Sequence, residues 1–455
     1  MKNESGGQEE YTIQRLSILL LIFWLLLQGI WRILDQTPPQ GDQTFYIKGA
    51  VRIQESWNQP WPSFLQSLND VTGTKIRPPG GSLLLVPWLT LFQNDLHGSG
   101  LSAVLWHAAT LIILFYLGKR LFDTTTGLLA GIYFISLPLI YDTFIDPEFY
   151  FMTLLPLALL CCAFLWNAHR WNWIAWLGMG LVTAFALFTK WVFAVYLLGP
   201  FLVMIFESIP RIRQIKKKSG WIYLFGKILL MICPVCLVAL AWYWPNRHSL
   251  YEAFDEIMEL REFTPFEQGW NWRVLFYYPI KWLNQNKIIP LFYLVPGCMA
   301  AFFVLFPSRF ISSERISSIN ALGYRLLLSS VLGTWIYFCI RYENVPVKYI
   351  FAMQPILAIL AVSWIRLVPR VSIQKYLYAI LLIFGLCNSI WMHFGPLSWI
   401  GNSKLPRTLE IAPNDYFLNY VIPMSQPPQI QHWPQERIAE RIARIKREAP
   451  IQFGR

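Results

Sequence analysis

Charge is what this chain has little of. Only 14% of its 455 residues are Asp, Glu, Lys or Arg, against 55% that are hydrophobic, and the mean hydropathy is +0.40. A soluble domain carries about 25% charged residues. The seven cysteines all fall in apolar segments, so no disulfide framework is legible. Cys233 and Cys236 form a CPVC motif in the middle of an apolar run. Away from any thioredoxin-like context the pair reads as two buried small residues and not as a redox couple. The six histidines, at 97, 107, 169, 248, 393 and 432, show no metal-ligand spacing. No internal repeat stands out, which removes support for an inverted-repeat transporter.

Apolar runs of roughly 20 residues recur along most of the length, long enough to cross a bilayer core of about 30 Å. Backbone groups in hydrocarbon must bond within their own segment, so the fold class is an all-α polytopic membrane protein. Candidate spans are 16–34, 101–118, 127–141, 149–167, 173–189, 192–206, 221–243, 290–306, 326–340, 349–366 and 376–395. The first lacks a small-residue cleavage site behind it and reads as an uncleaved anchor. Residues 81–92 are apolar but short and broken by Pro87, and read as a helix lying at or dipping into the membrane surface.

The net charge of +12 gathers in short loops, most densely at Arg211, Arg213, Lys216, Lys217 and Lys218. That is the distribution that orients a membrane protein, and it removes nucleic acid as a partner. If 81–92 does not cross, the basic loops all fall on the cytoplasmic side. About eleven transmembrane helices follow, with the amino terminus inside and a long first outer loop, 35–100, bearing surface helices. A second long outer loop is 244–289. Trp242, Trp244, Trp270, Trp272 and Trp282, near its ends, read either as an interfacial belt or as sugar-stacking platforms. Residues 1–395 form the membrane domain. Residues 396–455 form a polar tail, whose segment 434–449 places Ile438, Ile442 and Ile445 on one face of a basic amphipathic helix.

This alternation puts the polar candidates on one side. Asp42 stands eight residues past the first span, next to Phe45 and Tyr46; Asp146 and Glu148 occupy a short loop between spans. Each carboxylate reads either as a solvated loop group or as a base that takes a proton from an attacking hydroxyl. Lys75 and Arg77 precede the stiff Pro78-Pro79 pair. Lys190 ends the apolar run AFALFT, either as a snorkelling lysine or as a partner for a lipid phosphate. Arg341 and Lys348 flank a further outer loop. Cations gathered on one face suit an anionic lipid headgroup or a departing phosphate.

These motifs, in this order, resemble a known family. The stretches are GDQTFYIKGA (41–50), KIRPPGGSLLLVPWL (75–89), LGKRLFDTTTGLLAGIYFISLPLIYDTFIDPEFYF (117–151), ALFTKWVF (186–193) and VKYIFAMQPILAILAV (347–362). They resemble the integral-membrane glycosyltransferases of the GT-C superfamily, nearest the protein O-mannosyltransferase and aminoarabinose-transferase branch (glycosyltransferase family 39-like). The resemblance implies an inverting glycosyltransferase. It would move a hexosyl or pentosyl unit from a polyprenyl-phosphate donor to a hydroxyl on a lipid, glycan or protein, outside the cytoplasm and in a bacterial inner membrane. Asp42 then matches the general base and Asp146 the second-loop aspartate. Arg77, with Lys75, matches a Lys-Pro-Pro motif near the donor phosphate. Lys190 matches a lysine at a span end, and Lys348-Tyr349 a basic-Tyr pair. Tyr46, Glu148 and Tyr349 would line the substrate. No cofactor is certain and no ligand set is visible, although Asp42 and Asp146 could share a divalent ion. Three departures stand out: Gln43 where relatives carry an acid, Arg77 where they carry lysine, and Gly80 where they carry a large apolar residue. The alternative is a non-enzymatic carrier or flippase of a lipid-linked anion. It would want ionisable residues along the spans, and Asp and Glu are almost absent there.

Overall fold

The computed structural model describes residues 4–34, 42–69, 78–92, 96–137, 140, 154, 158, 173–190, 192–213, 218–252, 288–305, 318–341 and 352–394. Among the described residues the chain is helical and without strands. The described α-helices are α1 Glu4–Leu34, α2 Asp42–Ser56, α3 Trp61–Asn69, α4 Gly80–Leu91, α5 Leu96–Leu121, α6 Thr124–Ile135, α7 Trp173–Thr189, α8 Phe193–Ile212, α9 Lys218–Val238, α10 Ile288–Leu305, α11 Ser318–Arg341, α12 Gln354–Ser363 and α13 Val371–Phe394. A π-helical turn, Ala239–Tyr243, prolongs α9, and a 3₁₀ turn, Ile365–Leu367, follows α12. Among the described residues four segments are long and apolar enough to cross a membrane: Glu10–Ile33, Leu101–Leu121, Gly220–Tyr243 and Val371–Ile390. Shorter apolar helices lie among them. The molecule is an integral membrane protein. Ten of the expected spans coincide with described helices. The one at 149–167 lies outside the described residues except for Leu154 and Ala158, and the tail 396–455 lies outside them altogether.

Pairwise contacts fix the helix directions. α5 and α6 form an antiparallel hairpin, closed by Asp123, whose carboxylate accepts from Thr126 N–H at 2.7 Å as an N-cap. At the hairpin Gly118 and Gly127 stand so close that a Cβ on Gly118 would lie 2.7 Å from the Gly127 Cα. α1 runs parallel to α6: Gln14 donates to Thr125 at 3.1 Å, and Leu21 meets Gly131 further along. α13 is also parallel to α6, since Gly385 meets Ile132 and the Asn388 amide donates to the Ser136 carbonyl at 2.8 Å. α8 and α11 are antiparallel, joined by close approach at Gly199 and Ser329 and by an ion pair between Glu207 and Arg325.

The contacts sort the helix ends onto two sides. One side gathers Glu10, Asp123, Tyr324, Arg325 and Arg366. There Phe122 packs on Tyr324 (ring centroids 5.0 Å) and Arg366 pairs with Asp123 at 3.4 Å. The other side gathers the ends of α1, α6 and α13 with the starts of α5 and α12. It also holds the start of α8 and the end of α11. Lys119 and Arg120 end α5 on the first side, in keeping with the basic loops expected there.

The core sits where α6, α12 and α13 meet α1, α5 and α10; every residue from Gln354 to Ser363 in α12 is buried. α9 is the opposite case. Trp221, Ile222, Phe225, Leu229 and Leu237 are exposed, so much of its apolar surface faces outward, where hydrocarbon is the available solvent. The CPVC cysteines belong to that surface. Cys233 and Cys236 are exposed free thiols, which corrects the expectation that they are buried. They ride an outward-facing helix and are not packed between helices.

Candidate active site

A second, smaller core builds the candidate site. Tyr46, Ile47, Ala50 and Ile53 of α2 interlock with Leu85, Val86 and Leu89 of α4. Spacings of three and four residues put each set on one helix face. Gln54, in the last turn of α2, donates to Thr90, in the last turn of α4, at 3.3 Å. That bond joins the two carboxyl-terminal ends, while Tyr46 and Ile47 join the same cluster from the amino-terminal half of α2. Only parallel helices satisfy both. The shared register therefore sets the first residue of α2, Asp42, beside the Pro78-Pro79 entry to α4.

The start of α4 in turn rests on the end of α7. A Cβ on Gly80 would lie 2.6 Å from the Phe188 carbonyl oxygen and 2.9 Å from the Thr189 nitrogen. The departure noted at Gly80 thus has a structural reason: a side chain there would push α4 off α7. Lys190 is the next residue. It closes α7, with its N–H donating to the Ala186 carbonyl at 2.9 Å and its carbonyl accepting from Phe193 N–H at 3.2 Å. The lysine is half-buried. Two stretches far apart in sequence, at 80 and 188–189, therefore meet through backbone, and residue 42 opens the helix that runs parallel to α4.

Arg341 ends α11 on the same side, because α11 is antiparallel to α8 and α8 begins just after Lys190. Tyr46 is 2% exposed and packs between α2 and α4. Lys75, Arg77, Asp146, Glu148, Lys348 and Tyr349 lie outside the described residues. The described chain nearest them — Pro78, Ile140 and Ala352 — is buried. Among the described residues no group of three or more His, Cys, Asp or Glu could hold a metal ion. Asp146, one of the two expected ligands, is not among them.

Parallel packing also shapes the field. Helix amino termini present unpaired N–H groups and the positive end of the helix dipole. α2 and α4 point theirs the same way, next to Lys190. An acidic first residue, Asp42, suits that position on α2.

A polar layer that residue-by-residue reading missed lies inside the bundle on the same side. The buried amide of Gln28 and the buried ring of His107 bond at 3.0 Å, tying α1 to α5. The Trp24 ring stands edge-on to His107 at 5.7 Å and to His393 at 6.2 Å, which brings in α13. Arg32, 6% exposed, lies over Trp31 at 5.3 Å. The signal available in sequence was a polar residue inside each of three apolar runs.

The profile of the dolichyl-phosphate-mannose-protein mannosyltransferase family matches residues 76–242. Among solved structures, ArnT from Cupriavidus metallidurans bound to undecaprenyl phosphate aligns with a TM-score of 0.51 and 14% identity. The alignment covers 85% of this chain and 66% of that one. This chain has the GT-C fold. The apo form of the same ArnT aligns with a TM-score of 0.50 and 16% identity, over 82% of this chain and 64% of that one. The oligosaccharyltransferase of Archaeoglobus fulgidus, in complex with zinc and sulfate, aligns at 13% identity and a TM-score of 0.46, over 91% and 58% of the two chains. The chain thus spans somewhat less than two thirds of the length of these proteins. No curated protein sequence matches it. The GT-C resemblance read from the motifs, of the protein mannosyltransferase and ArnT type, therefore holds. The profile runs from just before Pro78 through Lys190 and on to Trp242, so it takes in the α4–α7 contact.

Proposed function

We propose that this GT-C chain is an inverting glycosyltransferase. It takes a hexosyl or pentosyl unit from a polyprenyl-phosphate donor and passes it to a hydroxyl acceptor on the non-cytoplasmic face of a bacterial inner membrane. The observation that carries the reading is the contact of the start of α4 with the end of α7, with α2 packed parallel to α4. It gathers one carboxylate position and one cation position at the membrane-protein face opposite the Lys119-Arg120 end.

The chemistry follows from those residue types. Asp42 accepts the proton of the acceptor hydroxyl. The acceptor oxygen bonds to the anomeric carbon from the face opposite the phosphate. The carbon–oxygen bond to phosphate breaks, its electron pair stays on the phosphate oxygen, and the polyprenyl phosphate departs. Lys190, joined by Arg77, Lys348 and Arg341, neutralises the charge that develops. Preorganised charge in a site shielded from water is usually the largest catalytic contribution. Asp146 is assigned to the same site, with Lys75, Tyr46, Glu148 and Tyr349 around the donor. Asp42 and Asp146 together would also suit a divalent ion, and no step above depends on one. The bound undecaprenyl phosphate belongs to ArnT, and it supports a polyprenyl-phosphate lipid as the partner here.

The test is direct. Purified protein in nanodiscs is incubated with a labelled polyprenyl-phosphate sugar and extracted membrane acceptors. Release of polyprenyl phosphate together with a labelled acceptor is the expected result. Translocation of intact donor without cleavage would instead make the chain a carrier.

A further inference from the structure

α4 opens abruptly. Pro79 supplies no capping side chain, and the first intrahelical bond visible at this end runs from Leu83 N–H to the Pro79 carbonyl at 2.9 Å. The N–H groups of Gly80, Gly81 and Ser82 therefore have no partner within the helix. All three residues are buried.

Ser82 adds an independent anomaly. It is 0% exposed, and its hydroxyl has no hydrogen-bond partner. Several other buried serines and threonines in these helices bond back to a carbonyl three or four residues earlier, Ser136 to Ile132 at 2.6 Å, Ser389 to Gly385 at 2.6 Å and Thr334 to Ser330 at 2.8 Å, although the Ser330 hydroxyl also lacks a partner. Ser82 makes no such bond. It also occupies the stripe 82, 85, 86, 89 that faces α2, one turn above the small apolar core. A helical side chain leans toward its amino terminus, so the hydroxyl aims along the α2–α4 seam at the end where both helices begin. A buried hydroxyl without a partner is costly and calls for an acceptor.

We propose that Ser82 Oγ–H and the opening N–H groups of α4 form a binding subsite for a phosphate oxygen. The inference rests on the glycosyltransferase reading and adds a donor-phosphate residue to it. Three features select an anion over a neutral group: unpaired helix N–H groups, a parallel second helix start, and the half-buried Lys190 one residue beyond the Gly80 contact. A hydroxyl, unlike a further lysine, adds a directed bond without extra net charge. That suits a group which must let the product phosphate go.

The experiment compares wild type with Ser82→Ala in nanodiscs. Three quantities are read: thermal unfolding without ligand, affinity for a polyprenyl monophosphate and for inorganic phosphate, and kcat and KM for the labelled donor. Removing a partnerless hydroxyl should leave the ligand-free unfolding temperature unchanged or raised. Affinity for the polyprenyl monophosphate should fall about tenfold, the loss expected for one hydrogen bond to a charged group. If inorganic phosphate also binds in a Ser82-dependent way, the subsite reads the phosphate alone; if only the lipid does, it reads the phosphate in its lipid context. Both outcomes uphold the proposal. Unchanged affinity for both ligands overturns it. So does a variant that is destabilised without ligand yet binds the lipid normally, because Ser82 would then be a packing residue. Ser82-dependent binding of polyprenyl monophosphate by a wild type that cleaves no donor would sink the glycosyltransferase reading and leave the phosphate subsite standing.

Discussion

Gly80 and Phe188 are locked together by the absence of a side chain: a Cβ on the glycine would sit 2.6 Å from the Phe188 carbonyl oxygen. That contact seats α4 on α7 and sets the Pro78-Pro79 entry one step from Lys190. Gly80→Ala should therefore separate the two helices. A stability loss of about 1–3 kcal/mol is expected for overpacking, with a larger proportional loss of transfer. Gly178→Ala is the control, since nothing lies within 4 Å of its Cβ position on the same α7. Thermal unfolding and turnover of the two variants should diverge. Equal behaviour would show that the contact does not position the site.

Asp42→Asn should insert and unfold like the wild type, because the change keeps size and helix-start position. Transfer should drop by about 10²–10⁴-fold, the usual contribution of a general base. Near-normal turnover would remove Asp42 from the reaction.

Lys190→Met should lower kcat more than it raises the KM for donor, because phosphate charge peaks as the glycosidic bond breaks. A loss of about 10²–10³-fold is expected for one such stabilising group. Lys190→Arg should recover part of it. A change in KM alone would make Lys190 a binding residue only.

The buried Gln28–His107 bond, at 3.0 Å, links α1 to α5. Gln28→Leu and His107→Leu should each destabilise the protein by about 1–3 kcal/mol, since each takes a hydrogen-bond partner from a buried polar group. The double variant should cost less than the sum of the singles. Additive losses in chemical unfolding would show that the pair is not coupled.

Cys233→Ser with Cys236→Ser should leave turnover and unfolding temperature unchanged, with no response to reductant, because both thiols face outward from α9. Loss of transfer on oxidation of the wild type, absent in the double variant, would restore a redox role.

Hydropathy alone was enough for the helices, because hydrocarbon leaves the backbone no other way to bond. The apolar runs at 16–34 and 376–395 lie within α1 and α13 apart from the last residue of the latter. Four features were not legible. The parallel α2–α4 pair, the α4–α7 contact and the Gln28–His107 bond each join residues distant in sequence, and no local period records such a meeting. The outward turn of the CPVC face could not be read either, because in hydrocarbon a buried and a lipid-facing side have the same apolar composition. Sequence supplied candidate residues for chemistry and an expectation of the side on which they stand. Tertiary packing decided that Gly80 rests on Phe188 and Thr189 beside Lys190, because a glycine let two backbones touch, and that α2 runs parallel to α4, because an apolar seam joins them.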